Sequence, residues 1–449
     1  MQIKFMGAAG TVTGSSYILT SGSGQAILID LGMFQGLPEI DCLNYEPYEY
    51  DFRSLSGAVL THAHLDHCGR LPLLLAKDFR EKIWMTSATR DLTELSLYDT
   101  AKIAKFDKKK ALFDKELAEK TINQFMLKAY HEPFQIGDFT ITFRDAGHIL
   151  GSASLEIVDA HSNSEVKKIV FSGDLGNSPE ELQRATEYLE SSDAVVMEST
   201  YGDRLHPQLD PKEILISEIQ SVEKSGGTLL IPAFSLERSQ ELLHMIKHLK
   251  ESGKVRETTP IFLDSPMAEK ATQVYMNFSD LLNDHIRQDF EQGNPFDFPG
   301  LNVVMAHDDS EEIDKHSGTK VIIAGSGMMT GGRILGHSAH YLPLASTRLL
   351  IVGYQGEGTL GRQLLEGEKK FTIEKNSISV NATVSSTRAM SSHADQKQLI
   401  KWLQHMNGVK KVFLTHGEET ARVSLSKKIT EELGYEDIVL PVMHQEVTF

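Results

Sequence analysis

One short run of the sequence constrains the fold more than any other feature of the chain. His62, His64, Asp66 and His67 lie within six residues of one another. In an ordinary core these side chains would be unpaired polar groups, and burying each one would cost roughly 2–7 kcal/mol. A divalent cation removes this cost because imidazole and carboxylate groups bind it directly; they suit zinc, and less selectively manganese or iron. The run therefore predicts a metal centre to which the fold must bring further ligands.

Short apolar segments that end in polar residues indicate where those ligands lie. Their length of four to six residues and their Val, Ile, Leu and Phe content are typical of buried strands. Ten segments have this character: AILID, GAVLT, FTITF, KKIVF, DAVVM, TLLIP, PIFLD, KVIIA, RLLIV and KKVFL. Amphipathic stretches between them, such as 236–250, predict helices and place the chain in the α/β class. His148, Asp174 and His416 follow strand ends, and Asp174 is the natural bridge because a carboxylate can bind two ions.

Composition excludes several classes of protein. The 449 residues suit two or three domains and carry a net charge of −17, which disfavours a diffuse electrostatic grip on nucleic acid or an anionic membrane but not a local basic channel. Cys42 and Cys68 are too few for a disulfide framework or a cysteine-built zinc site. No apolar run approaches the roughly 20 residues that cross a bilayer, and the amino terminus lacks a signal-peptide pattern. The sequence therefore predicts a cytoplasmic protein.

Four features together resemble the metallo-β-lactamase superfamily. They are Asp30 in ILIDLG, the run from His62 to His67, His148 in DAGHILGS and Asp174 in FSGDLGN. The resemblance covers about the first two hundred residues. It implies that superfamily's fold, an α/β four-layer αββα sandwich with the metals between its two sheets. The fold alone does not determine the substrate, since it supports β-lactam, thioester and phosphodiester hydrolysis.

The second half of the chain resembles the β-CASP branch of that superfamily, whose members process nucleic acids. The matching segments are ESTYG at Glu198, PAFSLERSQELL, SGMMTGGR, EGTLGR, SSHAD at His393 and THGE at His416. The closer likeness is to the nuclease subunit of the cleavage and polyadenylation machinery and its bacterial and archaeal relatives. In this branch a β-CASP domain is inserted late in the lactamase fold. The expected division is a metallo-β-lactamase domain at 1–203, the β-CASP insert at 204–387 and the return of the first domain at 388–449.

Carried over residue by residue, the resemblance implies a site with two zinc ions. The seven ligands form two sets of three and a bridge: His62, His64 and His148; Asp66, His67 and His416; and Asp174. Asp30 is expected to orient ligand histidines from behind them. Glu198 and His393 match the first two β-CASP motifs and are expected to lie near each other.

The same resemblance implies the reaction. A hydroxide activated by two Zn²⁺, with Mn²⁺ as the other candidate, attacks the phosphorus of single-stranded RNA and leaves a 3′ hydroxyl and a 5′ phosphate. His393, poised by Glu198, is the predicted proton donor because an imidazole beside a carboxylate titrates near neutral pH. His416 favours RNA, since Artemis-type DNA nucleases resemble this pattern but lack that histidine. Endonuclease activity is expected, 5′-to-3′ exonuclease activity stays open, and so does assembly as a homodimer or within an RNA-processing complex.

Four residues of the expected insert are candidate contacts for the RNA backbone. Arg238 and Arg333 carry guanidinium groups that match phosphate geometry, with a structural salt bridge as an equal alternative for each. Ser326 and Gly327 begin a glycine-rich loop whose backbone amides could cradle phosphate or make a plain tight turn. Residues 101–130 contain eight Lys against four acidic residues and are expected to be helical. They form either a solvated face or a positive rim that guides a polyanion.

Three other functions stay open. A hydrolase of small esters or lactones would share the metal centre, and a DNA nuclease would share the whole site. A non-catalytic RNA-binding scaffold is the alternative from another class. Such scaffolds have typically lost metal ligands, whereas all seven candidates are present here.

Overall fold

The computed structural model describes residues 1–106, 111–162, 164–373 and 376–449, which form two compact units. The first unit contains Met1–Leu205 and His393–Phe449, and the second contains His206–Ser392. The chain therefore leaves the first unit once and returns to it, as an inserted domain requires. The expected boundaries after residues 203 and 387 stay predictions; the compact units change after residues 205 and 392.

The secondary structure alternates short strands with helices. In chain order the strands are β1 (Gln2–Gly7), β2 (Ser16–Thr20), β3 (Ala26–Ile29), β4 (Leu55–Val59), β5 (Ile83–Met85), β6 (Phe125–Leu127), β7 (Phe134–Ile136), β8 (Phe139–Asp145), β9 (Ala153–Asp159), β10 (Lys168–Phe171), β11 (Ala194–Met197), β12 (Thr228–Pro232), β13 (Ile261–Asp264), β14 (Leu301–Val303), β15 (Lys320–Ala324), β16 (Arg348–Ile351), β17 (Lys370–Ile373), β18 (Asn376–Ser379), β19 (Thr383–Ser386), β20 (Lys411–Leu414), β21 (Ile438–Val439) and β22 (Glu446–Thr448). The helices are α1 (Pro38–Asp41), α2 (Leu65–Cys68), α3 (Pro72–Ala76), α4 (Ser87–Phe106), α5 (Lys115–Ile122), α6 (Pro211–Ser225), α7 (Arg238–Glu251), α8 (Pro266–Asn277), α9 (Asp284–Gln292), α10 (His307–Lys315), α11 (Arg333–Tyr341), α12 (Leu360–Leu365), α13 (Gln396–Gln404) and α14 (Glu419–Leu433). Single 3₁₀ turns form at Cys42–Tyr45, Phe52–Ser54 and Ser279–Leu281.

Two seven-stranded sheets form the centre of the first unit. Their strand orders are β22-β1-β2-β3-β4-β5-β6 and β21-β20-β11-β10-β9-β8-β7. Alternate side chains of each sheet point toward the other sheet and form one buried cluster. Aromatic pairs join the two sheets: the ring centroids of Phe5 and Phe413 are 5.3 Å apart, and those of Tyr17 and Phe171 are 5.5 Å apart. The two sheets therefore share one apolar core.

Each of these sheets packs its other face against helices. Leu28 of β3 belongs to a buried cluster with Leu74 of α3. Val412 of β20 belongs to another, with Trp402 of α13 and Leu425 of α14. Helices, sheet, sheet and helices thus form four layers, and the predicted αββα sandwich is confirmed.

A six-stranded parallel sheet forms the centre of the second unit. Its order is β14-β13-β15-β12-β16-β19, and every neighbouring pair is parallel. Because parallel strands need crossover helices, such a sheet is covered by helices on its faces. Ile322 and Leu349 pack with Ile334 and Tyr341 of α11. The strands β17 and β18 make a separate antiparallel hairpin.

The predicted elements match the structure well, with one error. All ten apolar segments form strands, and the stretch 236–250 forms α7. The expectation that residues 101–130 are helical is wrong at β6, which pairs in parallel with β5 at the edge of its sheet. Met126 and Leu127 are exposed there, so the strand has no burial pattern to read in the sequence. Residues 107–110 of this Lys-rich stretch lie outside the described residues.

Candidate metal centre

Most of the candidate ligands follow the carboxyl ends of parallel strands in the first unit, whereas His148 follows the antiparallel strand β8. β3 is parallel to β4 in one sheet, and β10, β11 and β20 are parallel neighbours in the other. The carboxyl ends of parallel strands meet at one edge of a sheet, where ligand sites of α/β proteins collect. Each of the five strands is followed within three residues by a predicted site residue: Asp30, His62, Asp174, Glu198 and His416.

Tight backbone geometry turns these side chains inward. Asp30 and His416 have positive φ values of 55° and 50°, which are uncommon for residues other than glycine and cluster at functional sites. Gly147 and Gly173, each immediately before a predicted ligand, also have positive φ. The close turns therefore fix His148, Asp174 and His416 in place.

The first ligand group consists of three histidines and Asp174. One ligand atom from each of His62, His64, His148 and Asp174 lies within 4.8 Å of the others. The Nε2 atoms of His62 and His148 lie 3.4 and 3.7 Å from Asp174 Oδ2. His148 Nε2 lies 3.2 Å from His64 Nδ1. These are the four residues predicted to hold one ion.

The second ligand group faces the other oxygen of the same carboxylate. Ligand atoms of Asp66, His67 and His416 lie within 4.8 Å of one another, and His416 Nε2 is 3.2 Å from Asp66 Oδ2. His67 Nε2 and His416 Nδ1 lie 3.3 and 3.6 Å from Asp174 Oδ1. Each oxygen of Asp174 therefore faces one histidine group, as a carboxylate between two cations would.

Two buried atoms of this centre indicate that a cation belongs there. Among the described residues, His62 Nε2 and Asp174 Oδ1 have no hydrogen-bond partner. Leaving a buried polar atom unpaired costs roughly 1–3 kcal/mol. A divalent ion would satisfy both atoms, and nitrogen and oxygen donors suit zinc. The residues present therefore fit a metal centre.

Burial and neighbouring charges hold His62, His64 and Asp174 in metal-binding protonation states. Burial lowers the pKa of His62 to about 3, with repulsion from His67 adding to the effect, and burial lowers the pKa of His64 to about 4. Burial would raise the pKa of Asp174, but His416 and His67 outweigh it and hold this pKa well below its usual value. At neutral pH the two imidazoles are neutral and the carboxylate is ionised, which are the forms that bind a metal.

Asp30 lies behind the second group and orients His67. Asp30 Oδ2 accepts a hydrogen bond from His67 Nδ1 at 2.8 Å, which leaves His67 Nε2 directed at Asp174. Thr61 anchors the aspartate by donating its backbone N–H and its hydroxyl, both at 2.8 Å. Burial would lower the pKa of His67, but Asp174 and Asp30 outweigh it and raise this pKa well above its usual value.

The sequence analysis did not identify two threonines that contact ligand histidines. Thr61 directly precedes the histidine run, and its hydroxyl also lies 3.1 Å from His62 Nδ1. Thr200 lies in the ESTYG segment, and its hydroxyl is 3.0 Å from Nδ1 of His416. Their position beside the motifs could have indicated this role. Threonine is common in strand-to-loop turns for other reasons, however, so position alone did not identify it. Their contacts fix the orientation of the ligand rings.

Glu198 and His393 form a pair beside the ligand groups. His393 Nδ1 lies 3.3 Å from the Glu198 carboxylate, and Glu198 also accepts the backbone N–H of Leu175 at 2.6 Å. Burial alone would lower the pKa of His393, but Glu198, followed by Asp174, outweighs it and raises this pKa to about 9. This value exceeds the near-neutral expectation. His393 is therefore protonated at neutral pH, as a proton donor must be.

The two arginines predicted to contact phosphate have partners within the second unit. Arg238 donates to the carboxylate of Glu241 and, at 2.8 Å, to the hydroxyl of Ser392. Arg333 donates to Asp264 and to two backbone carbonyls at 3.0 and 2.8 Å. These are the contacts that the salt-bridge alternative requires, and a role in phosphate binding stays a prediction.

The glycine-rich loop between β15 and α11 is closed on itself. Ser326 Oγ accepts the backbone N–H of Thr330 at 2.9 Å, and Ser326 N–H donates to Gly331 O at 3.2 Å. A Cβ atom at Gly327 would lie 2.5 Å from the ring of Phe234, so glycine is required there. A tight turn accounts for these contacts, and phosphate binding by this loop stays a prediction.

Three family descriptions match successive parts of the chain. The family descriptions that match are "Metallo-beta-lactamase superfamily" over residues 9–204, "Beta-Casp domain" over residues 239–364 and "Zn-dependent metallo-hydrolase RNA specificity domain" over residues 377–441. A protein named Ribonuclease TTHA0252 from Thermus thermophilus is 35% identical, and the match covers 95% of each chain. The chain belongs to the β-CASP nucleases of the metallo-β-lactamase superfamily. The matching names and descriptions make the chain a hydrolase of an RNA-processing nuclease family.

Two further comparisons extend this result. Cleavage and polyadenylation specificity factor 73 from Drosophila melanogaster is 30% identical over 96% of this chain and 62% of its own. A crystal structure of a protein of unknown function from Enterococcus faecalis V583 matches with a TM-score of 0.55 at 12% identity and covers 99% of each chain. The second likeness concerns the fold alone. Among the described residues, no helix is long and apolar enough to span a bilayer.

Proposed function

We propose that this protein is a zinc-dependent ribonuclease that hydrolyses phosphodiester bonds in single-stranded RNA. The observation that carries the proposal is the position of Asp174 between two histidine groups, with one carboxylate oxygen directed at each. Relatives named as a ribonuclease and as a cleavage and polyadenylation specificity factor support RNA as the substrate. In this proposal the protein acts in RNA processing or decay in the cytoplasm.

Seven residues would hold two ions. The proposed ligands are His62, His64 and His148 for one ion, Asp66, His67 and His416 for the other, and Asp174 for both. When bound, two zinc ions lower the pKa of water to give a nucleophile and offset the negative charge of the reacting phosphate. Manganese is the other candidate, because imidazole and carboxylate ligands discriminate weakly between the two metals.

The residues of the chain supply the acid and the orientation. Glu198 keeps His393 protonated, and the imidazolium is placed to give its proton to the departing 3′ oxygen. The products would be a 3′ hydroxyl and a 5′ phosphate. Asp30 and Thr61 hold His67 in one orientation, with Nδ1 directed at Asp30, so a metal ion bound at its Nε2 would replace the proton there.

Substrate binding must overcome a net charge of −17. A nuclease with this charge has to concentrate positive potential where the RNA lies, through its metal ions and a few basic side chains. We therefore expect RNA affinity to fall with added salt along a shallow slope, since each phosphate contact adds about 0.7 to the slope for a single strand. A steep slope would contradict this account of binding.

The decisive experiment combines metal analysis with RNA cleavage. Wild type, His64→Ala and His405→Ala, an exposed histidine of the first unit, are assayed with a linear labelled RNA, a circular RNA and single-stranded DNA. We expect at least two equivalents of zinc in wild type, cleavage of both RNAs, and loss of cleavage in His64→Ala alone. Cleavage of the circular RNA identifies an endonuclease because a circle has no ends.

Other outcomes separate the alternatives. Equal cleavage of DNA would favour a nuclease of broader specificity. Two equivalents of metal with ester turnover but no RNA cleavage would favour a small-molecule hydrolase. RNA binding without any cleavage would favour a scaffold, and wild type without bound metal would overturn the proposal.

A further inference from the structure

A second cluster of histidine and aspartate side chains lies in the second unit. His244 and His248 are four residues apart on α7, and His285 and Asp289 are four residues apart on α9. Side chains at this spacing lie on the same face of a helix, so each helix presents a pair of ligating groups. All four residues belong to the compact unit His206–Ser392. None of them is a ligand of the candidate metal centre around Asp174, which we call the strand-end centre.

Three ligand atoms of this cluster converge to within 3.2 Å. Asp289 Oδ2 lies 2.8 Å from His244 Nε2 and 3.0 Å from His248 Nε2, and the two nitrogens are 3.2 Å apart. Tetrahedral zinc with bonds of about 2.0–2.1 Å holds its ligand atoms roughly 3.3 Å apart. Small side-chain adjustments would therefore suffice to place an ion between them.

Hydrogen bonding alone satisfies these three groups less completely than a cation would. If both nitrogens carry protons, two N–H groups crowd against one carboxylate oxygen while their nitrogens are only 3.2 Å apart. If only one carries a proton, the lone pair of the other faces an ionised oxygen. A bound cation accepts all three lone pairs, because neutral imidazole and ionised carboxylate are its natural ligands.

His285 and Glu251 complete the surroundings. The ring of His285 lies 5.9 and 5.8 Å from those of His244 and His248, and its Nδ1 is 3.8 Å from Asp289 Oδ2. The His285 side chain is 61% exposed, so it is free to change rotamer and become a fourth ligand. Glu251 lies 3.4 Å from His248 Nδ1, where a carboxylate orients a ligating imidazole.

Helix α9 has little buried surface of its own, so a bound ion would add to its stability. Ile286 is its single fully buried residue. His244 is completely buried, whereas His248 is partly exposed, so the cluster opens to solvent at one side. An ion could enter there and join the weakly anchored α9 to the well-buried α7.

We propose that His244, His248 and Asp289, with His285 as the fourth ligand, bind one Zn²⁺ that joins α7 to α9. This site is separate from the proposed catalytic centre, and its role is to order α9. The site can be loaded from solvent, because two of its ligands lie at the surface.

Metal content tests the site in the full-length protein. Wild type, His248→Gln, Asp289→Asn and His307→Gln are saturated with Zn²⁺, desalted and measured by elemental analysis. His307 is an exposed histidine of the same unit and provides the matched control. Wild type and His307→Gln should retain one more equivalent than the other two variants. Equal content in all four proteins would overturn the proposal.

Hydrogen exchange adds a readout that does not depend on the catalytic ions. Added Zn²⁺ should slow amide exchange across residues 284–292 in wild type by at least about tenfold, and should leave His248→Gln unchanged. Circular dichroism confirms that each variant is folded. Exchange that slows equally in wild type and His248→Gln would show that the ion acts elsewhere and would overturn the proposal.

Discussion

The two units present the same side chains on different supports. In the first unit, histidines and carboxylates follow the ends of parallel strands, and their backbone turns include the positive φ values of Asp30 and His416. In the second unit, His244, His248 and Asp289 project from two helices that need no unusual turn. A site fixed by backbone geometry has little freedom to relax, whereas a site on two helices can rearrange its side chains.

The two sites also differ in whether their polar atoms have hydrogen-bond partners. In the strand-end centre, His62 Nε2 and Asp174 Oδ1 are buried without hydrogen-bond partners among the described residues. In the cluster of His244, His248 and Asp289, which we call the helical cluster, Asp289 Oδ2 has both histidines as hydrogen-bond partners even without an ion. The first site therefore needs a cation to satisfy these buried atoms, while the second can exist with or without one. We expect this contrast if the first site uses its metal for chemistry and the second site uses an ion to order a helix.

The largest expected effect comes from removing the shared carboxylate. Asp174→Asn keeps the shape but loses the charge between the two histidine groups, so RNA cleavage should fall by on the order of 10³-fold or more. Zinc content should fall with it, as measured by elemental analysis beside the cleavage assay. Asp284→Asn, a 91% exposed carboxylate, is the matched control. Retained ions and full activity in Asp174→Asn would show that the strand-end centre does not depend on the charge of this carboxylate.

The second effect separates proton transfer from metal binding. His393→Ala should lower kcat by about 10²–10⁴-fold, because a positioned general acid contributes that much. Zinc content and KM should stay close to those of wild type, since His393 is not among the proposed ligands. His405→Ala, an exposed histidine of the same unit, serves as the control. A variant that loses zinc instead would place His393 among the ligands, and one with full turnover would remove it from the mechanism.

The third effect compares the carboxylates behind the two clusters. Asp30→Asn should weaken zinc binding in the first unit by about 10–100-fold, because the aspartate fixes the orientation of His67. Glu251→Gln should weaken the proposed α7–α9 site by less than about threefold, since this side chain is 55% exposed and screened by water. Competition with a chromophoric chelator measures both. Equal losses would mean that burial does not decide how much such a carboxylate contributes.

The strand-end centre could be predicted from the sequence because its chemistry is concentrated in short motifs. His62, His64, Asp66 and His67 are adjacent in the chain, and the apolar segments before Asp174 identified the strand that carries it. Parallel strands then bring their carboxyl ends together. The sequence could not show which oxygen of Asp174 faces which histidine, because that depends on register and on rotamers.

The helical cluster and the arginine contacts could not be predicted from the sequence, because their partners are set by tertiary packing. His244 and His248 were visible within one helical stretch, but their partner Asp289 lies 41 residues beyond His248. Nothing in the sequence fixes how α9 packs on α7. Arg238 and Arg333 likewise matched phosphate chemistry, yet only the structure reveals their carboxylate partners Glu241 and Asp264. Pairings between distant residues depend on tertiary packing.

The smallest expected effect concerns pH and compares two carboxylates whose pKa values are shifted in opposite directions. Burial raises the pKa of Asp145, which ends β8 before the His148 turn, to about 7. Burial would also raise the pKa of Asp289, but hydrogen bonds from His244 and His248 outweigh it and lower this pKa. Asp145 therefore favours folding when protonated, below its ordinary pKa, and this contribution is lost as the pH rises toward 7.

Asp145→Asn removes that pH dependence while keeping an acceptor for the Gly147 N–H, which Asp145 Oδ1 now accepts at 2.9 Å. Between about pH 5 and pH 8, the free energy of unfolding of the variant should rise relative to wild type by about 1–2 kcal/mol. This is less than the full shift allows, because solvent reaches part of the side chain. Urea unfolding of both proteins with a chelator present measures the difference without metal binding. If the difference in free energy of unfolding between the two proteins stays constant with pH, Asp145 is ionised in the folded protein. Burial at this position would then not raise the pKa of the carboxyl group.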